Sequence, residues 1–222
     1  MKNKVLEADS IWLEYGGRKI LQNIYLRLET GRVTGLLGRN GCGKSCLMQV
    51  IYGARMAANC SVRLDGRYQN QPYRQRGLLA YLPQHTFVPG QVRVAEAFRL
   101  YEVPVAQALA GFPELENTVG MRFGDLSGRE RRILEALLIL HRKAAFVLLD
   151  EPFSMLMPLH VERLMNLITQ QKPSKGFLIA DHRYREVLAL SDAVYLLNQE
   201  GRSMLLTNPV EQLKDRGYLN QG

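Results

Sequence analysis

Two stretches near the start of the chain alternate between apolar and polar positions. They cover residues 5–15 and 20–29, are rich in Val, Ile, Leu and Tyr, and are separated by Gly16 and Gly17. Such alternation is typical of a strand with one buried face, and adjacent glycines permit a tight turn. The pattern therefore predicts an antiparallel hairpin.

Farther along, short continuous apolar runs alternate with stretches whose apolar residues recur at helical spacing. The runs predict strands at residues 33–37, 61–64, 78–82, 145–149, 176–180 and 193–197. The spacing predicts helices at residues 44–52, 159–170 and 184–190, and one through Ile133, Leu134, Leu137, Leu138 and Leu140. Apolar strands alternating with amphipathic helices indicate an α/β fold whose mainly parallel sheet is covered on both faces.

The segment from residue 85 to residue 125 interrupts this alternation. Short helical patterns at residues 94–100 and 105–110 are separated by prolines and glycines. We interpret the segment as a helical insert in a single domain of residues 1–222, because this length suits one hydrophobic core.

Composition narrows the functional classes. The net charge is +8, but the arginines are scattered and acidic residues lie among them, so the charge does not indicate a nucleic-acid partner. Cys42, Cys46 and Cys60 form no C-x-x-C pair, which favours the reducing cytoplasm. There is no signal-peptide pattern, and no run approaches the roughly 18 apolar residues of a spanning helix, so we expect any membrane role to require a partner.

A glycine-rich motif follows the run at residues 33–37. Gly38, Gly43, Lys44 and Ser45 match G-x-x-x-x-G-K-[ST], which an average chain of this length matches by chance on the order of one time in a hundred. Glycines let backbone N–H groups point at a phosphate, the lysine reaches the β- and γ-phosphates, and the hydroxyl ligates Mg²⁺. A turn that merely packs tightly explains the glycines but not Lys44 and Ser45.

A second motif is the apolar strand that ends in two carboxylates, Asp150 and Glu151. In a P-loop enzyme the first acid holds Mg²⁺, commonly through water, because a hard cation prefers oxygen ligands. The second acid would polarise the attacking water. Such a pair alone is more often a solvated turn, but its combination with the P-loop favours the catalytic interpretation.

These motifs and four softer matches resemble, in order, those of the ATP-binding cassette (ABC) ATPase family over nearly the whole chain. Tyr15 matches the adenine-stacking aromatic residue, Gln84 the Q-loop and His182 the switch histidine. The Walker A loop is matched by Gly38, Arg39, Asn40, Gly41, Cys42, Gly43, Lys44 and Ser45, with the adjacent Cys46. The signature is matched by Ser127, Gly128, Arg129 and Glu130, and the Walker B strand by residues 147–151. The resemblance implies a P-loop core with an N-terminal antiparallel β subdomain and a helical subdomain.

The resemblance also implies roles and partners. Lys44, Glu151 and His182 would be catalytic, Ser45, Gln84 and Asp150 would hold Mg²⁺, and the remaining matched residues would bind ATP. Two copies, or one copy and a paralogous ATPase, would pack head to tail, with each ATP between the Walker A loop of one subunit and the signature of the other. Transmembrane permease subunits would receive the resulting movement, at the inner face of the cell membrane.

Each softer match has a structural alternative. Tyr15 could pack beside Trp12, Gln84 could be an ordinary loop residue, and His182 could be a structural histidine. The spacing of Ser127 and Glu130 also fits a capping box, which would add about 1 kcal/mol to helix stability. The two interpretations of the signature are compatible, because a capped helix N-terminus still carries free N–H groups and positive potential.

Two residues depart from the family pattern. Arg129 replaces the second glycine of the signature, which adds a bulky charged side chain and restricts positive φ. In the D-loop, residues 154–157, Met157 stands where the family usually has aspartate. These departures motivate one alternative to a transport ATPase, an ATP-binding module with impaired hydrolysis. A second alternative, from another class, is a soluble ABC ATPase that acts on a non-membrane partner.

Overall fold

The computed structural model describes residues 3–218. The predicted hairpin is confirmed: β1 (Val5–Tyr15) pairs with β2 (Arg18–Glu29) in antiparallel register from Val5 opposite Glu29 to Tyr15 opposite Arg18. Gly16 and Gly17 turn the chain with φ of 56° and 77°, values that glycine adopts readily. A four-stranded sheet results, in which β4 (Asn59–Leu64) lies between β1 and the short β5 (Arg67–Tyr68).

A six-stranded sheet forms the centre of the molecule. Its order is β10-β9-β3-β8-β7-β6, and all neighbours are parallel except β9 and β10. The strands are β3 (Val33–Leu37), β6 (Leu79–Leu82), β7 (Phe146–Asp150), β8 (Gly176–Ala180), β9 (Ala193–Leu197) and β10 (Ser203–Leu206). Every position of β3, β7 and β8 is buried, as expected for central parallel strands.

Seven α-helices are present in the described part of the chain. They are α1 (Lys44–Tyr52), α2 (Val94–Leu100), α3 (Val105–Leu109), α4 (Gly128–His141), α5 (Pro158–Gln171), α6 (Tyr184–Leu190) and α7 (Pro209–Asp215). Together with the two sheets they confirm the predicted α/β class. The sequence did not predict β5, β10 or α7, which are short or lie at a sheet edge.

Two hydrophobic cores lie on opposite faces of the six-stranded sheet. Phe146 and Leu148 of β7 pack with the N-terminal sheet and α1, whereas Val147 and Leu149 pack with α4 and α5. Successive side chains of a strand point to opposite faces, so one apolar run supplies both cores. No helix within residues 3–218 has the length and apolar character needed to cross a bilayer.

Parallel pairing brings the carboxyl ends of four strands to one edge of the sheet. There β3 leads into the glycine-rich loop and β6 into Gln84, while β7 leads into Glu151 and β8 into Asp181 and His182. Ligands of open α/β sheets bind at this edge. The fold thus places the predicted chemical groups side by side.

Candidate active site

The glycine-rich loop connects β3 to α1 and uses glycine where side chains are disfavoured. Gly41 and Gly43 have φ of 77° and 105°, and a Cβ on Gly43 would lie 3.2 Å from the side chains of Ile20 and Leu21. A residue larger than glycine would therefore strain the backbone and crowd β2. The loop ends where α1 begins, so its N–H groups and the helix N-terminus share one concave surface.

Lys44 is buried at the start of α1. Its Nζ donates to the carbonyl oxygens of Gly38, at 2.7 Å, and Arg39, at 3.2 Å. An ammonium group has three N–H donors, so one remains for an anion in the loop. The lysine thus stabilises the phosphate loop through these hydrogen bonds and supplies its positive charge.

Asp150 is the buried carboxylate at the end of β7. The Ser45 hydroxyl lies near it, and the Tyr81 hydroxyl donates a hydrogen bond to it at 3.2 Å. Burial raises the pKa of Asp150, and the interactions with these two hydroxyls partly offset that increase. A carboxylate and a hydroxyl side by side are the oxygen ligands that Mg²⁺ prefers, so this donor set fits the ion.

Glu151 follows in a left-handed backbone conformation, with φ of 51°. Its N–H donates to the carbonyl oxygen of Ala180 at 2.7 Å, and its carboxylate lies 3.8 Å from Nδ1 of His182. The same nitrogen lies 3.3 Å from the Asp181 carboxylate. The acid predicted to polarise water and the predicted switch histidine therefore face each other.

One cleft of ≈ 630 Å³ collects most of the predicted residues. Its lining consists of Ile20, Asn40, Gly41, Gly43, Lys44, Ser45, Cys46, Gln84, Glu151 and His182. Asp150 lies beneath it, beside Ser45, and Cys42 is buried in the core that contains α1. Gly38 and Arg39 contribute the carbonyl oxygens that Lys44 contacts, although neither lines the cleft.

Tyr15 and the signature lie outside this lining. Tyr15 is 77% exposed at the end of β1, and its stacking role stays a prediction. At the start of α4 the capping box is confirmed: Ser127 Oγ accepts from the Glu130 N–H at 3.3 Å, and Glu130 accepts from the Ser127 N–H at 2.8 Å. Hydrogen bonding from Ser127 lowers the pKa of Glu130. Arg129 is exposed beside them.

The sequence did not identify three residues that shape the cleft. Ile20 lines it, Tyr81 donates to Asp150, and Asp181 accepts from the N–H groups of Phe153, at 2.9 Å, and Arg183, at 3.0 Å. Burial raises the pKa of Asp181. Only its position at the end of a predicted strand, before His182, could have indicated Asp181.

A phosphate loop at a helix N-terminus, joined to a buried carboxylate and a second acid at the carboxyl edge of a parallel sheet, defines a P-loop nucleoside triphosphatase. The model of the ABC transporter family matches residues 21–154, which is more than half of the chain. The chain belongs to this family as one of its ATP-binding, ATP-hydrolysing subunits.

Known ATP-binding proteins are similar to this chain along most of its length. A probable ABC transporter ATP-binding protein of Azorhizobium caulinodans is 31% identical over 207 residues, covering 87% of this chain and 74% of that protein. The lipopolysaccharide export system ATP-binding protein LptB of Acidithiobacillus ferridurans is 29% identical, covering 96% and 94%. A solved ATP-binding subunit of an ABC transporter has a TM-score of 0.83 at 22% identity, covering 96% and 95%, which shows the shared fold.

Proposed function

We propose that the cleft hydrolyses ATP with Lys44 on the β- and γ-phosphates, Glu151 orienting the attacking water and His182 contacting the γ-phosphate. The observation that carries this assignment is the meeting of the three side chains in one cleft at the edge of the sheet. A preorganised positive charge and an aligned base are the main protein contributions to phosphoryl transfer.

Magnesium belongs to the same proposal. Ser45 and Asp150 would hold the ion, because their oxygens already lie together, and Gln84 would add an amide oxygen from the end of β6. When bound, Mg²⁺ neutralises charge on the phosphates. The residues that hold it connect the phosphate loop to the segment that follows Gln84.

The signature motif supports a site completed by a second subunit. Ser127, Gly128, Arg129 and Glu130 lie outside the cleft of their own chain, at the capped N-terminus of α4. A helix N-terminus carries N–H groups that have no partner within the helix and can bind an anion. We infer that this end of α4 contacts the ATP of a second copy, or of a paralogous ATPase. Tyr15 would then stack on adenine from the exposed end of β1.

The partner that receives the movement is, on this proposal, a transmembrane permease. The relatives belong to an ABC transporter and a lipopolysaccharide export system, and the segment of residues 85–125, which follows Gln84, is the proposed helical subdomain. The chain would then work at the inner face of the cell membrane. A soluble ABC ATPase, the alternative class, would copurify with a non-membrane partner instead.

Replacing Glu151 with glutamine tests the active-site assignment. Glu151→Gln should bind ATP but hydrolyse it at least about 100-fold more slowly, because the amide cannot accept a proton from water. With ATP and Mg²⁺ it should accumulate as a dimer on size exclusion.

Lys44→Ala is the matched control for nucleotide binding. Loss of a charged hydrogen-bond donor should weaken ATP affinity about 10- to 100-fold. Wild-type affinity and turnover in this variant would refute the phosphate-loop assignment. A wild-type chain that binds ATP but shows no single-turnover hydrolysis would identify the ATP-binding module with impaired hydrolysis.

A further inference from the structure

Helix α4 carries two charged side chains in the protein interior, Arg132 and Glu135. Their exposed fractions are 2% and 0%. Burial lowers the pKa of Arg132 and raises that of Glu135, so in each case burial disfavours the charged form. Such groups occur in the interior only where specific partners compensate for lost water.

Arg132 contacts two of the segments that supply residues to the cleft. Its Nη1 donates to the carbonyl oxygen of Pro83 at 2.7 Å. Its Nη2 donates to the carbonyl oxygens of Asp150, at 2.6 Å, and Glu151, at 2.9 Å. One planar guanidinium therefore joins the residue before Gln84 to the end of the Walker B strand.

Glu135, three residues farther along α4, holds the other side of the Q-loop. One oxygen of its carboxylate accepts from the N–H groups of Phe87, at 2.9 Å, and Val88, at 3.1 Å. Gln84 thus lies in a segment tied to α4 at both ends. The same helix begins at Gly128, in the signature.

Keeping these two charges in the interior carries a cost. Among residues 3–218, Arg132 Nε and one carboxylate oxygen of Glu135 have no hydrogen-bond partner although both are buried, which adds to the cost of burial. An apolar residue at either position would in turn leave backbone groups of the Q-loop and β7 without these hydrogen bonds. These directional hydrogen bonds fix the backbone of the Q-loop and of Glu151 relative to α4, which apolar side chains could not do.

We propose that Arg132 and Glu135 are positioning residues that hold Gln84 and Glu151 in register with the signature end of α4. A shift of α4 when its signature meets a second subunit then moves the magnesium and water-orienting groups of its own subunit. The inference rests on the roles proposed above for Gln84 and Glu151.

Arg131 provides a matched control for the arginine. It lies next to Arg132 and also donates to backbone carbonyl oxygens, those of Phe123, at 3.0 Å, and Gly124, at 3.4 Å, but it does not contact the catalytic strand. Arg132→Met should slow single-turnover ATP hydrolysis about 10- to 100-fold, since displacements near 1 Å have such effects, and leave ATP affinity within about twofold. Arg131→Met should hydrolyse ATP at nearly the wild-type rate.

Arg132→Lys covers the case in which the methionine variant does not fold. Lysine keeps the charge but lacks the planar fork that reaches three carbonyl oxygens. It should reduce hydrolysis without a matching loss of ATP affinity. Hydrolysis at the wild-type rate in the folded Arg132 variants, or an equal loss in Arg131→Met, would overturn the role of Arg132.

Glu135 is tested without nucleotide by hydrogen exchange of the Phe87 and Val88 amides. Glu135→Leu removes their acceptor and should accelerate exchange, whereas Glu135→Gln keeps an acceptor oxygen and should restore slow exchange. Glu135→Leu should also raise the Mg²⁺ concentration for half-maximal hydrolysis. Unchanged exchange and Mg²⁺ dependence would contradict the role of Glu135.

The Lys44→Ala variant, measured in the same assays, distinguishes a failure of the positioning inference from a failure of the active-site assignment. If it loses ATP binding while Arg132 and Glu135 variants behave as wild type, only the positioning inference fails. If it binds and hydrolyses ATP as wild type does, the assignment of the cleft itself fails.

Discussion

At the scale of single residues, Glu151 sits in a backbone conformation that side chains disfavour. Its φ of 51° lies in the left-handed region, which costs a residue with a Cβ about 1–2 kcal/mol. Such strain persists when surrounding contacts fix the residue, and here both the N–H and the carbonyl oxygen of Glu151 are hydrogen-bonded. In this conformation the chain leaves β7, and the carboxylate of Glu151 faces His182.

The strain predicts a conflict between stability and activity at position 151. Glu151→Gly should raise the free energy of unfolding of the nucleotide-free chain by about 1 kcal/mol, because glycine adopts this φ readily, and should abolish hydrolysis. Thermal unfolding and ATPase assays measure the two effects.

Gln71 is the control for this prediction. It is exposed, has the same φ of 51°, and lies outside the cleft lining. Gln71→Gly should stabilise the chain similarly and leave hydrolysis unchanged. A Glu151→Gly variant less stable than wild type would show that contacts of the Glu151 side chain outweigh the backbone strain.

At the scale of elements, helix α4 contacts several segments of the site at once. Its capping box closes the N-terminus at Ser127, its middle turns face the Q-loop and β7, and its start carries the signature. The Met155 side chain of the D-loop lies 4.0 Å from where a Cβ on Gly128 would stand, so the D-loop also borders this end. These contacts are consistent with the proposed role of α4, in which a shift of the helix moves Gln84 and Glu151.

Substitutions at Ser127 should separate its capping role from nucleotide binding. Ser127→Ala should cost about 1 kcal/mol of stability. Ser127→Asp should keep the cap, because aspartate caps helices as well as serine, but its charge should repel the γ-phosphate of the opposite subunit. Thermal unfolding reports the first effect, and size exclusion with ATP and Mg²⁺ in the Glu151→Gln background reports the second.

The result that would contradict this prediction is clear-cut. If Ser127→Asp forms the ATP-dependent dimer as readily as its parent, the signature acts in this chain as a helix cap alone. Ser127→Thr, which keeps a hydroxyl cap without charge, controls for steric changes at the site.

At the scale of the whole molecule, each ATP site is proposed to need two subunits. Arg129 would then approach the γ-phosphate of the opposite subunit, where its charge is electrostatically favourable although its bulk is not. Arg129→Gly should therefore lower the rate of hydrolysis by about tenfold, as expected for loss of a charged hydrogen bond. Arg129→Lys should retain more of the rate.

Steady-state ATPase measurements over a range of protein concentrations check this prediction. A subunit-completed site gives specific activity that rises with concentration as dimers form. A faster Arg129→Gly variant would mean that the arginine is a handicap that replaces a needed glycine.

Some strands and helices could be predicted from the local sequence pattern, and others could not. The predicted bounds of β3, α1, β8, α6 and β9 agree with the structure, because continuous apolar runs and helical spacing are local signals. The two-residue strand β5 and the edge strand β10 depend on pairing with distant neighbours, and their sequences carry no comparable pattern.

The sequence by itself determined the class of enzyme, because Gly38 to Ser45 form a contiguous loop whose backbone and lysine bind phosphate, and the Asp150–Glu151 pair ends a strand recognisable from its apolar run. Only the tertiary structure decided which charges are buried and what they hold. Arg132, read in the sequence as one of many scattered arginines, contacts Pro83 at a separation of 49 residues and Asp150 at 18. Such contacts depend on the order of strands in the sheet, a long-range property that no local pattern encodes.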